Sequence, residues 1–340
     1  MRMIDSHTHL CFQKPELLLE LVKKSGCEKF GVMAIPTECG PLNTLECLLM
    51  KRLAPEKIYS FGGMIYTDAF APTAEDHETQ LRLMLEAGCD GWKILESKPA
   101  EYKKRQLPLD GEVFARAFAL AERENVPVTW HAGDPATFWD AERAPKFAAE
   151  NGWLCIGEGF PTLQELYRQV ESVFAHHPKL CASMAHIYFI SDDRAHGERM
   201  LDTYENFFMD ITPGTEMYQA FMDDREGWRR FFEKYQDKIV YGSDTADTES
   251  DPVFNNQDDI NALVWKTLAN DEPFTIMDAS GTGLGLSTAI LDKIYCRNFE
   301  KRVGAVPKKI SESGLNAYVN WLMPRLTKEE QKKAEALLKA

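Results

Sequence analysis

The sequence predicts an α/β protein, a (β/α)8 TIM barrel with additional helices at its C-terminal end. Three observations carry this. Eight short apolar runs alternate with amphipathic helical segments over residues 3–244, and no low-complexity linker divides them. Five residues with metal-binding side chains also fall at the expected C-terminal ends of strands, the end at which the loops of such a barrel converge. We expect residues 1–303 to form the barrel and residues 304–340 a helical extension packed on it.

The first strand is Met3-Ile4-Asp5-Ser6-His7-Thr8-His9, and alternation along an extended backbone places His7 and His9 on one face. Residues 15–24 follow as a helix with four leucines, stopped at Ser25-Gly26. The second strand spans 30–35 and is closed by Pro36; 42–52 is helical and 58–66 is the third strand. The loop 67–77 has no clear period, and 78–87 is an amphipathic helix ending at Gly88. Residues 91–95 form the fourth strand, after which Asp110 caps a helix with Val113, Phe114, Ala117, Phe118 and Leu120 on its apolar side.

The fifth strand, 126–131, ends in His131, and a long stretch rich in Pro, Gly and Trp precedes the helix 163–174. The sixth, 180–186, ends in His186; a helix over 194–204, the seventh strand at 206–211 and a helix over 228–235 come next. The eighth strand, 238–244, ends in Asp244. Residues 258–269, 288–303 and 310–339 supply the remaining helices. Gly281 to Gly285 reads as a flexible turn, because neither a preceding strand nor a GK[ST] sequence makes it a phosphate cradle.

The chain has 340 residues and a net charge of −14, which argues against nucleic acid or an anionic membrane as partner, since both need a clustered positive field. It contains no run of eighteen apolar residues and no secretory signal, so a cytoplasmic protein is expected. Its eight cysteines, Cys11, Cys27, Cys39, Cys47, Cys89, Cys155, Cys181 and Cys296, form no CxxC pair and read as reduced structural thiols.

The chemistry lies in the strand-end set. His7, His9, Lys93, His131, His186 and Asp244 come from strands one, four, five, six and eight, and together offer the imidazole and carboxylate environment that suits zinc or a similar divalent ion with one open position. His77, His176, His177 and His196 lie in helical or loop context and read as surface or satisfied core residues. Trp130, Trp139, Trp153 and Tyr188 are candidates for a pocket wall, and Asp134 and Arg143 for substrate contacts.

His7-Thr8-His9, Trp130-His131-Ala132-Gly133, Ala185-His186 and Tyr241-Gly242-Ser243-Asp244, together with Asp210 to Gly214 and Ile294 to Phe299, resemble the amidohydrolase superfamily. The likeness is greatest to its amidohydrolase-related branch, which includes aminocarboxymuconate-semialdehyde decarboxylase, and it covers residues 1–303. The resemblance implies that His7, His9, His131 and Asp244 hold one divalent metal ion, zinc or alternatively manganese, with His186 beside the activated water and no second ion. Asp244 and His186 are then the catalytic residues. Lys93 has two readings, a cation for a substrate carboxylate or a carboxylated ligand bridging two ions, and the first is preferred. With Trp153 and Tyr188 it makes up the expected substrate-binding set.

The expected activity is metal-dependent hydrolysis of a small carboxylated or cyclic substrate, an amide, lactone or ester. The alternatives are non-oxidative decarboxylation of an aromatic or muconate-type acid, a metal-independent lactonase and a non-catalytic ligand-binding barrel. The expected partner is a small-molecule substrate, with a homodimer as a further possibility.

Overall fold

The computed structural model describes residues 1–67, 72–214, 216–248 and 257–339. Of the loop 67–77, residues 68–71 lie outside these. The strands are β1 (Ile4–His9), β2 (Lys29–Met33), β3 (Ile58–Gly62), β4 (Gly91–Ser97), β5 (Val128–Ala132), β6 (Ala182–Met184), β7 (Phe207–Asp210), β8 (Ile239–Val240) and β9 (Thr245–Ala246). They lie side by side in sequence order from β8 back to β1, with β9 next to β1. All the pairings are parallel.

The eighth strand is interrupted, where a continuous run over 238–244 was expected. It breaks at Tyr241 to Asp244, and β9 resumes the pairing with β1. The Ser6 amide donates to the Tyr241 carbonyl and the Asp244 amide to the His7 carbonyl, each at 2.9 Å, so the sheet closes on itself as a TIM-type barrel. Asp5 explains the break. Its carboxylate accepts from the His7 and Ser243 amides, both at 3.1 Å, and from Ser243 Oγ at 2.5 Å, bending the chain around one buried side chain. A side chain at Gly242 would lie 2.5 Å from Thr212 Oγ1 and 2.8 Å from His7 Cβ, so only glycine fits there.

Elsewhere β3 stops at Gly62 rather than 66, and β4 continues to Ser97 rather than stopping at 95. The cap of helix Glu112–Arg123 is Gly111; Asp110 instead accepts from Arg168 at 2.8 Å. Gly281 lies in an antiparallel hairpin, β10 (Pro273–Ile276) with β11 (Ala279–Thr282), rather than in a flexible turn.

The core follows from strand alternation against helix period. Helix Glu112–Arg123 buries Phe114, Ala117, Phe118, Leu120 and Ala121 on one face. Phe118 lies 5.2 Å from the ring of Trp92 on β4 and 5.3 Å from that of Trp130 on β5, a contact whose truncation to Ala costs about 3–5 kcal/mol. Inside the barrel, Ile4, Met33, Phe61 and Val240 meet Cys296 and Phe299. Arg302, from helix Asn298–Val303, donates to the carbonyl of Val128 at the start of β5 at 2.9 Å. That end of the barrel is plugged, and the polar strand ends are left to the other. Helices Glu312–Leu322 and Lys328–Leu337 form the tail; Gly314 lies flat on the backbone at Glu86, the close approach that seats the first of them on helix Ala74–Ala87.

Candidate metal centre

The pairing register of β1 shifts between Asp5 and Thr8, and His7 and His9 both face the cavity at the end of the barrel. His9 Nδ1 donates to the Met33 carbonyl at 3.1 Å, and its Nε2 lies 3.1 Å from Asp244 Oδ1. His7 Nδ1 donates to Asp210 Oδ2 at 3.0 Å, and its Nε2 lies 3.7 Å from Asp244 Oδ1. The ligand atoms of His7, His9 and Asp244 all fall within 4.8 Å of one another. Each imidazole thus has one nitrogen fixed by an acceptor and the other turned toward a shared point, as metal-binding histidines require.

The charge states agree with this. Burial, reinforced by Lys93, lowers His7 to about 4, leaving it neutral at pH 7. Burial pushes the Asp244 carboxyl upward, but the hydrogen bond from His9 and the electrostatic pull of the nearby histidines outweigh it and hold it well below the usual carboxylate range. Two imidazoles and one carboxylate are a donor set that fits zinc or manganese.

His186 and His131 stand beside this group. The His186 amide donates to Asp210 Oδ1 at 2.9 Å and its Nδ1 to the Thr212 carbonyl at 3.2 Å; its ring lies 5.9 Å from that of His7. The His131 ring is 4.9 Å from that of His186, and its Nε2 faces Asp134 Oδ1 at 3.3 Å, so His131 is not in the group of three. Lys93 is buried, with Nζ 2.8 Å from His7 Nε2, and burial brings it down to about 8. It donates to the same lone pair that an ion would take, so ammonium and ion compete for His7.

Tyr188, expected at the pocket wall, is instead packed into the core against Tyr167, His196 and Phe207. The reason is local. His186, Ile187, Tyr188 and Phe189 have φ of 55°, 50°, 60° and 53°, a left-handed turn that costs L-residues about 1–2 kcal/mol each. Tyr167 Oη holds it by donating to the Tyr188 and Phe189 carbonyls at 3.3 and 3.0 Å. The turn swings Tyr188 outward and stacks Phe189 on the ring of His186 at 5.1 Å.

These groups border a cavity of about 430 Å³. Its far wall comes from the excursion 133–162, where Phe138, Phe147 and Trp153 meet edge-on at 6.2 Å around a small core of their own. Trp153 lines the cavity, under Lys98 Nζ at 4.9 Å. Asp134 lines it too, its carboxyl raised to about 7 by burial against the opposing charge of Lys98. Trp130 is buried on the barrel, Trp139 donates to the Pro161 carbonyl within the excursion, and Arg143 is exposed outside the lining. His77 is a satisfied core residue between Tyr66 and Thr73, whereas His196 is buried and stacked on Tyr167 at 4.2 Å with its Nε2 lacking a hydrogen-bond partner among the described residues.

Three features escaped sequence reasoning. Lys98 directly follows β4, so reading that strand to Ser97 would have found it. Asp210, which orients both His7 and His186, ends β7 and obeys the same strand-end rule. The third is a correction: Cys11 and Cys39, read as thiols, are joined as a disulfide bordering the cavity, while the other six cysteines are free and buried. Their Cα atoms lie 5.2 Å apart because β1 and β2 are neighbours, so residues just past both strand ends meet.

Solved structures share this architecture. A probable 2-pyrone-4,6-dicarboxylic acid hydrolase from Acinetobacter baumannii, solved with citric acid bound, superposes with a TM-score of 0.56 at 12% identity, over 89% of this chain and 100% of its own. The 4-oxalomesaconate hydratase of Rhodopseudomonas palustris superposes with a TM-score of 0.52 at 12% identity, over 94% of this chain and 98% of its own. No curated protein sequence matches the chain. Among the described residues no helix is long and apolar enough to cross a membrane. A family model described as "Amidohydrolase" matches residues 54–301, a span that leaves out β1 and its two histidines yet covers well over half the sequence, and the chain belongs to the amidohydrolase family.

Proposed function

We propose that the chain is a metal-dependent hydrolase of a small carboxylated or cyclic substrate, an amide, lactone or ester. The observation that carries this is the convergence of the His7, His9 and Asp244 donor atoms within 4.8 Å at one end of the cavity. His131, turned toward Asp134, is the candidate for a fourth protein donor. His7, His9 and Asp244 would hold a single divalent ion, zinc or manganese, which when bound would supply a Lewis acid and lower the pKa of a water to about 7.

The residues of the chain do the remainder. Asp244, ionised and facing both histidines, accepts the proton of the attacking water and returns it to the leaving group. His186, its Nδ1 fixed on Thr212, directs its other nitrogen to orient that water or polarise the carbonyl. Lys93 pairs with a substrate carboxylate, a role in keeping with the dicarboxylic acid named for the Acinetobacter neighbour. Trp153 contributes to the wall against which the substrate rests.

Metal analysis together with turnover tests the reading. About one equivalent of zinc or manganese per chain, and ring opening or amide cleavage of carboxylated lactones or amides, are expected. Absence of bound metal after growth and dialysis with zinc and manganese would overturn it. Release of carbon dioxide without hydrolysis would transfer the chain to the decarboxylase alternative.

A further inference from the structure

The two ends of the cavity differ in charge. Lys93 places an ammonium group at the barrel end, beside the candidate ion site. At the far end the Lys98 ammonium is already held by Glu38 at 2.9 Å, and Asp134 adds a second carboxyl group. Asp134 is only 5% exposed; Oδ1 faces His131 at 3.3 Å, and Oδ2 has no hydrogen-bond partner although it is buried. A buried acceptor without a partner costs about 1–3 kcal/mol, which a ligand hydrogen on the cavity side recovers. Beside it stand Phe138, Phe147 and Trp153, whose rings line the same wall.

We propose that Asp134 and these three aromatic side chains form a subsite for a flat, uncharged ring bearing an N–H or O–H group, with the hydrogen donated to Asp134 Oδ2. The substrate is then two-ended: a carboxylate lies toward Lys93 and the donor-bearing ring lies against the wall of aromatic side chains. The assignment of the reacting end rests on the hydrolase reading above, whereas the subsite itself does not. Lys98, neutralised by Glu38 and lying over Trp153, holds the wall and leaves no spare charge to draw an anion there.

Calorimetric titration of the full-length protein with phenylacetamide and 4-hydroxyphenylacetamide tests this, with and without prior treatment with EDTA. The hydroxylated ligand is expected to bind about five- to tenfold more tightly in both preparations, the worth of one hydrogen bond to a buried carboxyl group. Asp134→Ala is expected to erase that preference, and Trp153→Ala to weaken both ligands by a similar factor while keeping it. Equal affinities in the wild type, no binding of either ligand, or a preference that survives Asp134→Ala would overturn the proposal. The wild-type comparison needs no variant to fold, and the EDTA-treated arm reports on the subsite even if no turnover is ever found.

Discussion

At the barrel end of the cavity each donor side chain is held by another buried group, whereas at the far end the aromatic wall hangs on a small core of its own. His7 is fixed by Asp210, His9 by the Met33 carbonyl and the Asp244 backbone by the Asp5 turn. Phe147 and Trp153 touch mainly each other and Phe138, within an excursion that joins β5 to helix Leu163–His176. The first construction fixes positions to fractions of an ångström, as metal coordination demands. The second can change shape and chemistry without disturbing the first, and it is there that substrate choice can vary within a family.

The largest effect is expected from Asp244→Asn. Asn tolerates the left-handed φ of 59° at this position, and barrel closure uses the residue's backbone amide, so the fold should survive. Loss of the carboxylate should remove bound metal and lower turnover about a thousandfold or more. Metal content and circular dichroism measured on one preparation check this; full metal occupancy in the variant would break the assignment of the barrel end.

The barrel end should also leave its own mark on the pH response. His7 is lowered to about 4 from its ordinary 6.5, and burial lowers His131 and His186 as well. For groups depressed on folding, the unfolded chain binds more protons between the two values, so stability rises with pH across that window. The His7 contribution to the stability of the metal-free protein is therefore expected to fall by up to roughly 3 kcal/mol as pH drops from 6.5 toward 4, against the opposite contributions of Asp5 and Asp134, whose carboxyls burial raises to about 7. Urea midpoints of EDTA-treated wild type and His7→Gln at pH 7 and pH 5 isolate this contribution: the change in stability from pH 7 to pH 5 should be less destabilising in the variant than in wild type. An unchanged slope in that variant would place the acid sensitivity elsewhere.

A smaller effect is expected from Asp210→Asn. The side chain touches no candidate ion, but it fixes His7 Nδ1 and the His186 amide, and loss of its charge should weaken metal affinity about 10- to 100-fold with the barrel intact. Competition with a chromogenic chelator reads this directly.

The same contrast separates what the sequence makes legible from what it hides. His7 and His9 could be found because two-residue alternation fixes their face, and His131 and Asp244 because barrel strands all end on one side. Those rules depend only on regular backbone. Where the backbone leaves the regular regions, they fail: the left-handed turn at His186 to Phe189 sends Tyr188 into the core, and no local propensity announces four successive non-glycine residues with positive φ. The break at Tyr241 to Asp244 is set by Asp5, more than two hundred residues away, and the Cys11–Cys39 bridge by the adjacency of β1 and β2. These depend on tertiary contacts, which a reading of local period cannot supply.

The smallest effect, and the one that most directly tests the separation, is expected from Phe147→Ala. Phe147 is half-buried and meets Phe138 and Trp153 at 6.2 Å, so its loss removes one side of the far wall without touching β1, β7 or the Asp244 turn. Metal affinity should stay within about twofold of wild type, while KM rises by up to about tenfold, the worth of one partly buried aromatic contact. Combined with Asp210→Asn, the two free-energy changes should add within about 0.5 kcal/mol, as they do for sites that share no partner. A coupling above about 1 kcal/mol in that double-mutant cycle would mean that the excursion and the metal end move as one unit, and that substrate choice and metal binding are set together.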